Sequence, residues 1–191
     1  MSQPEDQGPA PAEESLWAFA VSLYSAPGVA DACLGLQDHH CCDVNVLLFA
    51  AWMGAVRHYA MTRAEMAEAV AVVQSWHEEI VRPLRDLRRR LKSGPPPAPS
   101  ESTEGLRTRI KAIELEAERI ELAMLEQLAA RWAPPLGARG EAAFENLMAA
   151  VRHFMGQEPS DGAVEFIRSI EQGIATKRIK EIRGKGHERA D

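Results

Sequence analysis

Leu106-Arg107-Thr108-Arg109-Ile110-Lys111-Ala112-Ile113-Glu114-Leu115-Glu116-Ala117-Glu118-Arg119-Ile120-Glu121-Leu122-Ala123-Met124 is the stretch on which the fold turns. Leu106, Ile110, Ile113, Ala117, Ile120 and Met124 recur at alternating steps of four and three, the spacing of an apolar seam along an α-helix. Glu114, Glu116, Glu118, Glu121 and Glu126 lie around that seam. A long helix is predicted here. Its seam, through Ile110, Ile113 and Ile120, is the surface expected to meet a protein partner or a second copy of the chain.

Upstream of this helix, Ser93 to Thr103 carries Pro95-Pro96-Pro97 and Pro99 and reads as an exposed, partly extended connection between two halves. Before it, Thr62-Arg63-Ala64-Glu65 has the capping-box form and opens a helix bearing Met66, Val70, Val73, Trp76 and Ile80. Pro83 is expected to bend that helix near Val81 without stopping it, because Leu84, Leu87 and Leu91 resume the stripe as far as Lys92. Val44 to Tyr59 is apolar nearly all round, as a central core helix is, with Asp43 as its N-cap. Two earlier helices, from about Ser15 to Tyr24 and from Val29 to His39 or His40, meet at Pro27-Gly28.

Downstream, Pro134-Pro135 should end the long helix. Ala142 to Phe154, and a segment from Pro159-Ser160 through Val164, Ile167, Ile170 and Ile174, read as a final pair. The expectation is an all-α fold: a compact bundle of six to seven helices with a proline-rich linker, residues 93–103, between its halves. Residues 1–14 read as a disordered lead-in and 15–182 as one helical domain. Residues 183–191 read as a charged tail beyond the last apolar position, Ile182.

Composition agrees with this and excludes several classes. A chain of 191 residues with 46% hydrophobic content can build its own core. Aromatics are 6%, and Ala, Leu, Glu and Arg are abundant, which favours helix over strand. A net charge of -6 argues against a surface built as a whole for nucleic acid or anionic lipid, so no DNA is expected as a partner. The N-terminal residues lack the basic and apolar regions of a secretory signal. The longest apolar run, Val44 to Val56, is well short of the roughly 20 residues of a membrane span. Cys33, Cys41 and Cys42 are odd in number and two are adjacent, so a disulfide framework is not expected and a reducing, cytoplasmic location fits.

Chemical motifs are mostly absent. Asp38-His39-His40-Cys41 spells the signature of protein S-acyltransferases, but those enzymes need membrane spans and a cysteine-rich zinc region that this sequence lacks. His39, His40, Cys41 and Cys42 offer zinc-type ligands, yet four consecutive residues cannot face one ion; two of them with a distant His58, His77 or His153 could assemble a site, but ordinary residues of an interhelical turn are the favoured reading. No metal, cofactor or catalytic residue is therefore assigned. The sequence has no Glu-x-x-His pair, no His-Glu-x-x-His, no phosphate loop and no Gly-x-Ser-x-Gly elbow.

Two candidate sites remain. Gln37, Asp38, Asp43 and Asn45 gather where two helices meet, either as caps with satisfied hydrogen bonds or as the lining of a small polar pocket. Arg82, Arg85, Arg88, Arg89, Arg90 and Lys92 form one dense basic run with a leucine stripe. That run either binds RNA, acidic lipid or a partner helix, or, in the favoured reading, folds back against the glutamate-rich long helix.

Leu23-Tyr24-Ser25-Ala26-Pro27-Gly28-Val29, then Leu34-Gly35-Leu36-Gln37-Asp38, then Asp43-Val44-Asn45-Val46-Leu47-Leu48-Phe49 with Trp52-Met53-Gly54, resemble an uncharacterised bacterial family of small helical proteins. The resemblance is specific over about the first third of the chain and looser through Trp76 and Arg82-Pro83-Leu84-Arg85. It implies a domain of unknown function, with no reaction, cofactor or site residue to carry across. The leading expectation is a non-enzymatic cytosolic module acting through protein contacts. A small-molecule-binding protein or enzyme with a polar pocket is the alternative, and RNA or membrane-surface binding by the basic run is a third.

Overall fold

The computed structural model describes residues 14–98, 100–132 and 142–187, with the backbone alone for residues 100, 101 and 180–187. It contains helices α1 (Leu16–Tyr24), α2 (Val29–His40), α3 (Val44–Ala55), α4 (Arg63–Trp76), α5 (Arg82–Arg90), α6 (Ser100–Ala129), α7 (Ala143–Met155) and α8 (Asp161–His187). A π turn, His77–Val81, joins α4 to α5 without a break, and counting these as one gives seven helices among the described residues. No strand occurs among the described residues, and the fold is all-α.

α3 is the centre. All of its 12 residues are buried, which is what a helix apolar on every side demands. Asp43 caps it, Oδ1 accepting the Asn45 N–H at 2.8 Å. The helix stops at Ala55, short of Tyr59, for reasons in the chain that follows. His58 takes a left-handed φ of 51°, the Tyr59 N–H turns back to the Met53 carbonyl at 2.8 Å, and Arg178 Nη2 from α8 donates to the Ala55 carbonyl at 2.9 Å.

α7 crosses α3 at Gly54, where a Cβ would lie 2.2 Å from the Ala143 nitrogen. Only glycine permits that approach. Asn146 of α7 then ties the α3–α4 loop down: its Oδ1 accepts from the Met61 N–H at 2.9 Å, and its Nδ2 donates to the Tyr59 and Ala50 carbonyls at 2.8 and 3.2 Å. α8 packs along α2, with Ile167, Ile170 and Ile174 in the same buried core as Val29, Cys33 and Leu36. Each such side chain contributes about 1.5–3 kcal/mol by leaving water.

The capping box at Thr62 and Glu65 forms as its residues require, the Thr62 side chain accepting from the Glu65 N–H and the Glu65 carboxylate accepting from the Thr62 N–H. Pro83 has no N–H for the Glu79 carbonyl, and its ring crowds that carbonyl. The preceding turn widens to absorb this, so that the Arg82 N–H reaches back five residues to His77. The helix therefore continues, as its leucine stripe predicts.

Some boundaries differ from the sequence expectation. α6 begins at Ser100, inside the segment read as linker. α8 runs past Ile182 to His187. Pro134-Pro135 and residues 1–13 lie outside the described residues. Glu14, the last of the expected lead-in, is anchored: its carbonyl accepts from Trp52 Nε1 at 2.9 Å and its carboxylate pairs with Lys177 at 2.6 Å. Among the described residues no single helix is long and apolar enough to cross a membrane.

Candidate functional site: a charged partition between two clefts

The expected seam of α6 is divided. Ile110 and Ala117 are buried, but Ile113 and Ile120 stand 51% and 48% exposed, with Leu106 on the same outer side. The inward stripe instead runs Ile110, Glu114, Ala117, Glu121, and both glutamates are buried. A carboxylate enters a core only where donors meet it. Two neighbouring segments supply them.

α5 supplies Arg85 and Arg88. Arg85 Nε donates to Glu114 Oε1 at 3.2 Å, Nη2 to Glu118 Oε1 at 2.6 Å and Nη1 to Gln37 Oε1. Arg88 Nε donates to Glu114 Oε2, and its Nη2 to Oε1 at 3.1 Å. Burial opposes the charge on Glu114, but the two guanidiniums outweigh it and hold that carboxyl below its usual range. On Glu118 burial prevails and the carboxyl is pushed up despite Arg85. Outside the core, Arg89 pairs with Asp38 at 3.0 Å, both well exposed. Three of the six cations of the basic run thus turn to acids of the same chain, while Arg82, Arg90 and Lys92 make no ion pair with another described residue.

The second segment is the π turn. Its first residue, His77, points Nδ1 at Asp43 Oδ2 (2.9 Å) and at Glu121 Oε1 (3.1 Å). Asn45 stands behind both acids: its backbone N–H holds Asp43 Oδ1 at 2.8 Å and its Nδ2 donates to Glu121 Oε2 at 2.7 Å. Burial alone would lower the His77 pKa, yet the hydrogen bonds to Asp43 and Glu121 raise it to about 10. Burial raises Glu121 to about 7 against the pull of His77. Asp43 is also opposed by burial, but His77 and the Asn45 N–H hold it low.

These groups form a wall between two clefts. On one side a cavity of about 480 Å³ lies against α1, α2, α3, α5 and α6, with Trp17, Val21, Tyr24, Leu34, Leu48 and Leu115 as apolar walls and Arg88, Arg89 and Lys111 among its polar lining. On the other, a cleft of about 710 Å³ is lined by Asp38, Asp43, His77, Glu78, Arg82 and His153. Gln37, Arg85 and Arg89 line both. Cys41 and Cys42 also border the larger cleft, but burial pushes the Cys42 thiol up to about 12, so it is no thiolate nucleophile.

Of the four polar residues singled out in the sequence, Gln37, Asp43 and Asn45 join this network, and Asp38 sits at its rim with Arg89. His39, His40, Cys41 and Cys42 do not converge. The residues that sequence reasoning missed are Glu114, Glu118 and Glu121, and with them the pairing of His77 with Asp43 and Glu121. A signal existed for two of them: Glu114 and Glu121 are in helical phase with Ile110 and Ala117, so any face that buries those two brings both glutamates inward.

Residues 15–125 match the model of a family described as "Protein of unknown function (DUF2390)". That span holds α1 to α5, most of α6 and every member of the partition. No curated protein and no solved structure matches the chain.

Proposed function

The chain belongs to that family of proteins of unknown function, and we propose that it is a binding protein for a small amphipathic anion, with an apolar body and a carboxylate or similar head. The observation that carries this reading is the cavity of about 480 Å³, apolar over most of its wall, where Arg85, Arg88 and Arg89 are matched by Glu114, Glu118 and Asp38 and Lys111 adds a further cation. Its volume lies in the range of ligand pockets, roughly 300–1,000 Å³, and apolar walls with a few converging polar groups are what such pockets have in common. Val21, Tyr24, Leu34 and Leu115 are large apolar side chains left exposed around it. An acyl chain laid between them would remove that surface from water at about 25 cal/mol per Å². Lys111 makes no ion pair with another described residue and is the cation best able to take the head group.

The test is a thermal-shift series with straight-chain carboxylates of increasing length, the matching primary alcohols and the matching trimethylammonium cations. Carboxylates should stabilise most, with a gain rising with chain length, and a ligand at a hundred times its Kd should add about 2.7 kcal/mol. Lys111→Glu should abolish the preference for carboxylate over alcohol. Equal effects of all three head groups, or no length dependence, would remove the reading.

A second reading has its own support. Leu106, Ile113 and Ile120 recur every seven residues on the outer side of α6, all exposed, which favours a protein contact or self-association there. Sedimentation analysis of the parent and of Ile113→Lys/Ile120→Lys tests it. A monomeric parent at high concentration would leave self-association without support.

A further inference from the structure

We infer that Asp43, His77 and Glu121 are the protein ligands of a divalent first-row transition-metal ion, a site separate from the amphipathic cavity on the other side of the partition.

The three come from the cap of α3, the π turn and α6, and each offers one ligand atom, all within 4.8 Å of one another. Two ligands bonded to one ion at about 2.1 Å and at right angles stand about 3.0 Å apart. His77 Nδ1 lies 2.9 Å from Asp43 Oδ2 and 3.1 Å from Glu121 Oε1, so the imidazole and each carboxylate are already spaced as adjacent corners of a coordination shell.

The oxygens that would not bind the ion are already held. Asn45 donates its N–H to Asp43 Oδ1 and its Nδ2 to Glu121 Oε2, which aims the remaining oxygen of each carboxylate inward and is the outer-shell support that metal ligands characteristically have. Access exists as well: His77 and Asp43 form part of the wall of the cleft of about 710 Å³, leaving a route for the ion and open positions for water or a substrate. The π turn that begins at His77 is a helix irregularity often found at functional sites.

The competing arrangement is an imidazolium clamped by two carboxylates. It satisfies the same distances, and metal titration decides between the two. Two carboxylates, a neutral imidazole and a divalent ion sum to zero. The donor set selects the ion: one imidazole with two carboxylates suits Zn(II), Mn(II), Fe(II) or Co(II), whereas Ca(II) and Mg(II) favour oxygen alone and Cu(I) favours sulfur.

The experiment titrates the full chain, first stripped with chelator, with Co(II). A His39→Ala/His40→Ala/Cys41→Ser background removes exposed competitors. One Co(II) per chain is expected, with weak visible bands, no thiolate charge-transfer band, a raised Tm, and paramagnetic displacement of the Asn45 side-chain and His77 ring signals. Asp43→Asn, which keeps an N-cap side chain, and Glu121→Gln should both lose the bound ion with their helical circular dichroism unchanged. Asn45→Ala should weaken binding about 10–100-fold. Absence of stoichiometric binding, binding that survives Asp43→Asn, or paramagnetic shifts that spare Asn45 and His77 would each overturn the assignment. The NMR readout needs no variant in the triad, so a misfolded variant does not leave the question open.

Discussion

α3 and α6 pack against each other, and they meet the core by opposite means. α3 has no charged residue and hides all of its side chains. α6 turns Glu114 and Glu121 into the core while leaving Leu106, Ile113 and Ile120 on the outside. The contrast teaches that apolar periodicity locates a helix without fixing its rotation. On α6 the rotation that is adopted brings the glutamates to Arg85, Arg88 and His77, where they are satisfied, and accepts exposed isoleucines in exchange. A seam of isoleucine with buried glutamates beside it is costly as a device for stability, and this is why the partition reads as a site.

In the apolar region, Phe49→Ala should cost about 3–5 kcal/mol in urea unfolding, since the ring is fully buried. In the polar region, Arg85→Ala should cost about 3 kcal/mol or more by leaving Glu114 and Glu118 short of a partner. A loss below about 1 kcal/mol would mean that water already serves those carboxylates. Asn146→Ala, which strips the α3–α4 loop of three hydrogen bonds, should cost about 1–3 kcal/mol. Ile113→Lys/Ile120→Lys should change monomer stability by no more than about 0.5 kcal/mol per residue, and a larger loss would show that the outer stripe is covered in solution. Smallest of all is a chemical readout. Burial pushes the Cys33 and Cys42 thiols up to about 12, while Cys41 is exposed, so a thiol reagent at neutral pH should modify one cysteine quickly and the other two only on unfolding.

Much of the fold was legible because it is written locally. Asp43, Thr62-Glu65 and Ser160 mark helix starts through side chains that reach their own backbone, and α3 announces its burial by having no polar face. The candidate site was legible only in part. Gln37, Asp43 and Asn45 stood out because they are polar residues next to an apolar helix. Glu121 and His77 are 44 positions apart and meet only after α6 has packed. In sequence, Glu121 is one of many glutamates on a helix that looks solvated. The internal pairing of α5 with α6 was readable from the opposite charges of the two segments, but the choice of Glu114 and Glu118 over Glu116 was not, because it depends on the rotation of α6.

Whether the charged partition is kept for ligands or for stability is decided by urea unfolding of Arg85→Met/Glu114→Leu/Glu118→Leu. The account expects this apolar version to be as stable as the parent or more so, by up to about 4 kcal/mol, because well-packed hydrophobic residues commonly replace buried ion pairs at no cost. A loss of about 3 kcal/mol or more, with packing otherwise intact, would contradict it and return the partition to the role of scaffold.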